Sequence, residues 1–159
     1  MSIAVSVDDS NYQAIITAIQ TIALETAGLG LTTAASKLYE MPLPAEIDAA
    51  GYPFLVVRWG DNANPGGFVN REPGVTEPWW RFDCFIIYPH DPSHPNYAVA
   101  ADALVKIVTQ FTAEYDLTAT CAQAFVIDPH LTYLRMSGAE YFAVAWTIEA
   151  REALNVQYE

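Results

Sequence analysis

The ten residues Trp79-Trp80-Arg81-Phe82-Asp83-Cys84-Phe85-Ile86-Ile87-Tyr88 decide the fold. Read with a period of two, Trp80, Phe82, Cys84, Ile86 and Tyr88 form an unbroken apolar face, the pattern of a strand lying on a core. The other face, Trp79, Arg81, Asp83, Phe85 and Ile87, is polar at one end, which predicts contact there with something other than plain solvent. Upstream, Phe54 to Trp59 alternates as well, with Phe54, Val56 and Arg58 on one side and Leu55, Val57 and Trp59 on the other. That strand is expected to be buried on at least part of both faces and to end at Gly60. Between the two strands, Asp61, Asn62, Asn64, Pro65, Gly66, Gly67, Pro73 and Gly74 are turn formers and predict a long exposed excursion.

Outward from this pair the period changes to that of helices. Tyr12, Ile15, Ile16, Ile19, Ile22 and Ala23 recur at helical spacing behind N-cap candidates Asp8, Asp9 and Ser10, until Gly28 and Gly30 stop the pattern. Tyr97, Ala100, Ala101, Leu104, Ile107, Val108 and Phe111 make a second amphipathic helix that should reach about Tyr115, after a stretch kept non-helical by Pro89, Pro92 and Pro95. Residues 31 to 39 read as either a short helix or a strand, and Pro42, Pro44, Gly51 and Pro53 read as an extended connection. Strands are expected at Thr118 to Val126, Leu131 to Met136 and Glu140 to Arg151, with a turn at Gly138. Two main helices against one mostly antiparallel sheet predict an α+β, two-layer fold, and nothing in residues 1 to 159 divides it into more than one domain.

Composition narrows the function. Of 159 residues, 52% are apolar, 13% aromatic and only 16% charged, which predicts a well-packed soluble domain and excludes a disordered chain. The net charge of -12, with lysines only at 37 and 106 and arginines scattered at 58, 71, 81, 135 and 151, leaves no run of cations to neutralise phosphates. The start MSIAVSVDDS lacks the basic and apolar regions of a secretory signal, and no apolar run is long enough to span a membrane, so a cytoplasmic setting without membrane contact is expected. Cys84 and Cys121 sit in apolar surroundings and read as two buried free thiols.

Chemistry-bearing patterns are weak. His90, Asp91 and His94 could share an ion only on a helix, which Pro89, Pro92 and Pro95 forbid; with His130 as a third ligand the solvated loop remains the better reading. Adjacent acids such as Asp8 and Asp9 suit a helix N-terminus. Gly66-Gly67 has no following lysine and is no phosphate loop, and the serines show no nucleophile-elbow spacing. The expectation is therefore a protein that is not an enzyme, with no catalytic residues, no bound metal and no cofactor.

Association is better supported. Two consecutive tryptophans point to opposite faces, so Trp80 is the core residue and Trp79 the outward one; Trp79 then either packs beneath a helix or the 61 to 77 loop, or anchors a contact between subunits. Residues 1 to 57 carry one base and six acids and residues 90 to 159 three bases and nine acids, whereas residues 58 to 89 carry three bases and four acids. Like-charge repulsion is least in that middle third, which makes Arg58, Trp59, Arg71, Trp79 and Arg81 the candidate contact residues.

The layout also resembles the tail terminator, or tail completion, proteins of long-tailed bacteriophages and related viruses. The resemblance rests on a helix at Tyr12 to Thr26, the strand Gly51-Tyr-Pro-Phe-Leu-Val-Val-Arg-Trp59, the hairpin excursion, the strand Trp80 to Tyr88, a helix at Ala98 to Tyr115 and the strand Tyr141-Phe-Ala-Val-Ala-Trp-Thr-Ile-Glu149. It implies a homohexameric ring in the virion tail, assembled in the host cytoplasm, that caps the tail tube protein and ends tube growth. The ring would also join a neck or head-completion protein and let DNA pass without specific binding, which an acidic lining favours. Two alternatives stay open: another head–tail connector or neck protein, and a ferredoxin-like dimer, a small-molecule-binding domain or enzyme, whose pocket mouth His90, Asp91 and His94 would line.

Overall fold

The computed structural model describes residues 5–7, 9–31, 38–39, 53–59, 65–69, 73–89, 97–136 and 139–158. At its centre lies β6 (Pro78–Ile87), the strand with the clearest alternation. Strand β3 (Phe54–Trp59) runs antiparallel along one edge of it, from Phe54 opposite Ile87 to Trp59 opposite Phe82. Strand β8 (Ala139–Arg151) occupies the other edge, from Trp79 opposite Arg151 to Ile87 opposite Ala143. Outside these lie β2 (Leu38–Tyr39), parallel to β3, and β7 (Gln123–Met136), antiparallel to β8, giving the order β2-β3-β6-β8-β7. Past the end of β3, β4 (Gly66–Phe68) takes up the same edge of β6. Residues 66–68 therefore pair with the sheet where a long exposed excursion was expected, while 61–64 and 70–72 lie outside the described residues.

A second, three-stranded sheet continues the first. Strand β5 (Val75–Thr76) pairs with β9 (Leu154–Tyr158), and β1 (Val5–Val7) takes the other edge of β9. Thr76 opposite Leu154 keeps the register of Trp79 opposite Arg151, and the Glu152 N–H donates to the Pro78 carbonyl at 2.9 Å between them. The two sheets are thus one antiparallel ribbon interrupted at Glu77 and at Glu152–Ala153.

Both helices, α1 (Tyr12–Glu25) and α2 (Tyr97–Ala113), cover one face of the large sheet, giving the expected α+β two-layer architecture. Ile15, Ile19, Ile22, Ile107 and Phe111 pack on Leu55, Val57, Phe82, Cys84, Ile86, Val144, Trp146 and Ile148, all buried. Each such aliphatic side chain contributes roughly 1.5–3 kcal/mol when fully buried. On the other face Phe54, Val56, Ile87 and Ala143 form a smaller buried cluster, so β3 is apolar on both sides as its sequence predicts.

Some expectations need correction. Thr118 begins no strand: Leu117, Thr118 and Ala119 have φ of 49°, 60° and 61°, a left-handed turn after α2. The two strands expected at 118–126 and 131–136 are one strand, β7, whose register shifts between Ile127 and His130, where Asp128 has φ 48°. Such a bulge interrupts apolar periodicity and makes one strand read as two. The α1 N-cap is Asn11, without a side-chain cap bond, while Ser10 Oγ accepts the Tyr12 N–H at 3.2 Å. Cys84 is buried, but Cys121 is only partly so; both thiols are free.

Candidate interaction face

The face of the large sheet opposite the helices carries a ladder of guanidinium groups and aromatic rings. Alternation along β6 brings Trp79, Arg81, Asp83 and Phe85 to this side, while β3 adds Arg58, β8 adds Thr147, Glu149 and Arg151, and β7 adds Phe125. Cross-strand register then sets the partners: Arg81 stands opposite Glu149, Asp83 opposite Thr147 and Arg58 opposite Asp83.

Glu149 is the centre of the ladder. Its side chain is 9% exposed, and such a buried carboxylate needs paired donors. Arg81 Nε donates to Oε2 at 3.1 Å, and Arg151 donates to Oε1 through Nε at 3.1 Å and Nη2 at 2.9 Å. Each guanidinium also lies over a ring: Arg81 is 5.1 Å from the Trp79 centroid, Arg151 4.9 Å from Phe125 and Arg58 5.1 Å from Phe85. Asp83 accepts the Thr147 hydroxyl at 3.0 Å and lies 3.9 Å from Arg58 Nη2. Stacked and ion-paired guanidiniums have little rotamer freedom left to lose on binding, and the pairing of Arg with aromatic rings is enriched where proteins meet.

Three arginines and two carboxylates give this set a charge of +1 within a chain of -12. Among the described residues the cations are Arg58, Arg81, Lys106, Arg135 and Arg151, so three of five gather here. Both oxygens of Glu149 engage guanidinium donors, which suits recognition better than proton transfer.

Of the predicted contact residues, the structure brings Arg58, Trp79 and Arg81 onto this face. Trp59 stands opposite Phe82, a register position of the helix-covered face, and Arg71 lies outside the described residues. Trp79 packs on Gly67 of β4, the first of its two sequence alternatives, and not under a helix. A Cβ added at Gly67 would meet its indole at 3.0 Å, so the ring lies across bare glycine backbone and stays half-buried. Arg151, Glu149 and Phe125 were missed because they are far from the hairpin in sequence. The signal was present in β8, where Thr147, Glu149 and Arg151 form a polar end that matches the polar end of β6.

The remaining chemistry is sparse. His90, Asp91 and His94 lie outside the described residues, and no group of three or more His, Cys, Asp or Glu side chains converges among those described. His130 is exposed on the bulge, with Nδ1 2.7 Å from the Asp128 carbonyl. A shallow cavity of about 230 Å³ is lined by Asn11, Thr120, Cys121 and Glu152 among others. Burial, aided by Asp116, pushes the Cys121 thiol up to about 12, which disfavours the nucleophilic thiolate there. Among the described residues no helix is long and apolar enough to cross a membrane. Compared with known proteins, the chain matches no family model, and no curated protein matches it.

Proposed function

We propose that this chain is a structural subunit that associates with itself through the sheet face opposite the helices, closing into a ring. The guanidinium–aromatic ladder carries this reading. Its three arginines outnumber its two carboxylates in a strongly acidic chain, and it is built on paired strands of the large sheet. With the resemblance in layout to tail terminator proteins, the ring is read as a homohexamer that caps a tail tube, ends its growth and forms the junction to a neck or head-completion protein. The two-layer α+β fold agrees with that layout, and an acidic subunit suits a channel through which DNA slides without being held. Electron micrographs of purified protein mixed with tail tubes test the assignment. Rings seated at one end of the tubes are expected; rings that ignore the tubes would refute the tail role while leaving self-association in place.

A further inference from the structure

We infer that the guanidinium–aromatic face receives the turn Glu114-Tyr115-Asp116 of a second copy of the chain, so that the contact is head-to-tail. This rests on self-association through that face, as proposed above, and names its occupant.

Tyr115 is 60% exposed at the end of α2 and is flanked on both sides by a carboxylate. Among the described residues the other strongly exposed rings lack that flanking. Tyr97 and Tyr133 engage each other through their hydroxyls and meet Phe142 edge-on and tilted, with Arg135 nearby in β7, and Phe68 lies between Gly67 and Val69. The turn is also fixed in place. The Tyr115 carbonyl accepts the Ala124 N–H, the Asp116 carbonyl accepts the Thr120 and Cys121 N–H groups at 3.1 and 3.2 Å, and Leu117 is fully buried behind it. Three successive non-glycine residues then hold left-handed dihedrals, a conformation costing roughly 1–2 kcal/mol per residue. The fold thus keeps an aromatic knob between two acids in one orientation.

The chemistry of the knob complements the face. A phenol ring stacks on a guanidinium plane or an indole, and each carboxylate pairs with a guanidinium, whose five N–H donors exceed what one buried Glu149 can take. The knob and the face are different surfaces, one at the end of the helix layer and one on the sheet face opposite the helices. A contact between them is therefore heterologous, the kind that generates rings when the rotation closes.

Sedimentation of two variants, alone and mixed, tests the occupant. Trp79→Ala disables the face and leaves the knob; Glu114→Lys with Tyr115→Ala and Asp116→Lys disables the knob and leaves the face. Each alone should associate at least about tenfold more weakly than the unchanged chain. Mixed in equal amounts, the two should form one-to-one dimers that grow no further, because only one intact contact can form. Unchanged melting curves keep a folding defect from imitating these losses; a knob variant that melts early is replaced by Tyr115→Ala alone, and a face variant that melts early by Phe125→Ala, which removes the ring under Arg151. If Trp79→Ala dissociates the assembly while the knob variant keeps full mass, or if the mixture stays monomeric, the occupant is wrong and self-association stands. An unchanged chain that is monomeric at about 100 μM overturns both.

Discussion

Glu152 joins three chain segments through one buried carboxylate. It accepts the Ser10 hydroxyl at 2.6 Å, the Asn11 N–H at 2.6 Å and the Trp80 indole N–H at 2.8 Å, tying the start of α1 to the sheet. Truncating it removes three hydrogen bonds to part-buried donors, so Glu152→Ala should cost about 1–3 kcal/mol in urea unfolding. A loss below about 0.5 kcal/mol, the range of an ordinary surface substitution, would contradict this junction. The same residue explains an error of sequence reading: the helix start draws its acceptor from 141 positions away, where no local capping pattern can reveal it. Two titrating groups add a pH dependence. Burial, with a smaller effect of Asp102, pushes the Tyr88 phenol from its ordinary 10 up to about 12, and Cys121 rises from 9 to about 12. Both are neutral in the folded state and ionise earlier in the unfolded one. Their stabilisation is intact below pH 9 and is lost as pH rises through 12. Burial raises the Cys84 thiol in the same direction, so Cys121→Ala should lessen but not abolish the first part of that decline, and Tyr88→Phe the part above pH 10, measured by melting temperature against pH.

At the scale of elements, the best-read parts of the chain are those whose periodicity is uninterrupted. The strands at 54–59 and 79–88 and the two helices follow from apolar spacing alone, and the structure gives them nearly the expected bounds. What sequence reading missed depends on pairing rather than propensity. The 61 to 77 segment looks like a loop because it is rich in glycine and proline, yet Gly66 and Gly67 stand opposite Trp80 and Trp79 and leave room for the rings. An added Cβ would sit 2.6 Å from the Trp80 ring at Gly66, whereas at Gly74, with φ of 80°, nothing lies within 4 Å. Gly66→Ala should therefore perturb the environment of Trp80 and raise its fluorescence accessibility to quencher. Gly74→Ala should cost about 1 kcal/mol through backbone strain and leave the tryptophans unchanged. Equal quenching in both variants would argue against the packing of rings on glycine. The short strands β1 and β5 carry too few residues for alternation to register, whereas β9, Leu154-Asn-Val-Gln-Tyr158, alternates and was overlooked; β5 and β9 continue the central register.

Over the whole molecule, charge and topology point to the same surface. The nearly neutral middle third of the sequence located Arg58, Trp79 and Arg81, and the fold adds Arg151, Glu149 and Phe125 from strands that become neighbours only in the sheet. Half of the face was legible because alternation along β6 shows which residues leave the core. The other half was not, because cross-strand partners are set by register over long separations. Both helices cover one sheet face, and on the other a ladder with a charge of +1 would repel a second copy of a chain at -12 less than a more acidic surface would. The most direct test of this account is the sedimentation mass of the unchanged chain beside that of Trp79→Ala. A closed assembly near six times the 17.5 kDa chain mass is predicted for the first, and a shift toward single chains with an unchanged melting temperature for the second. Equal masses for the two would contradict it.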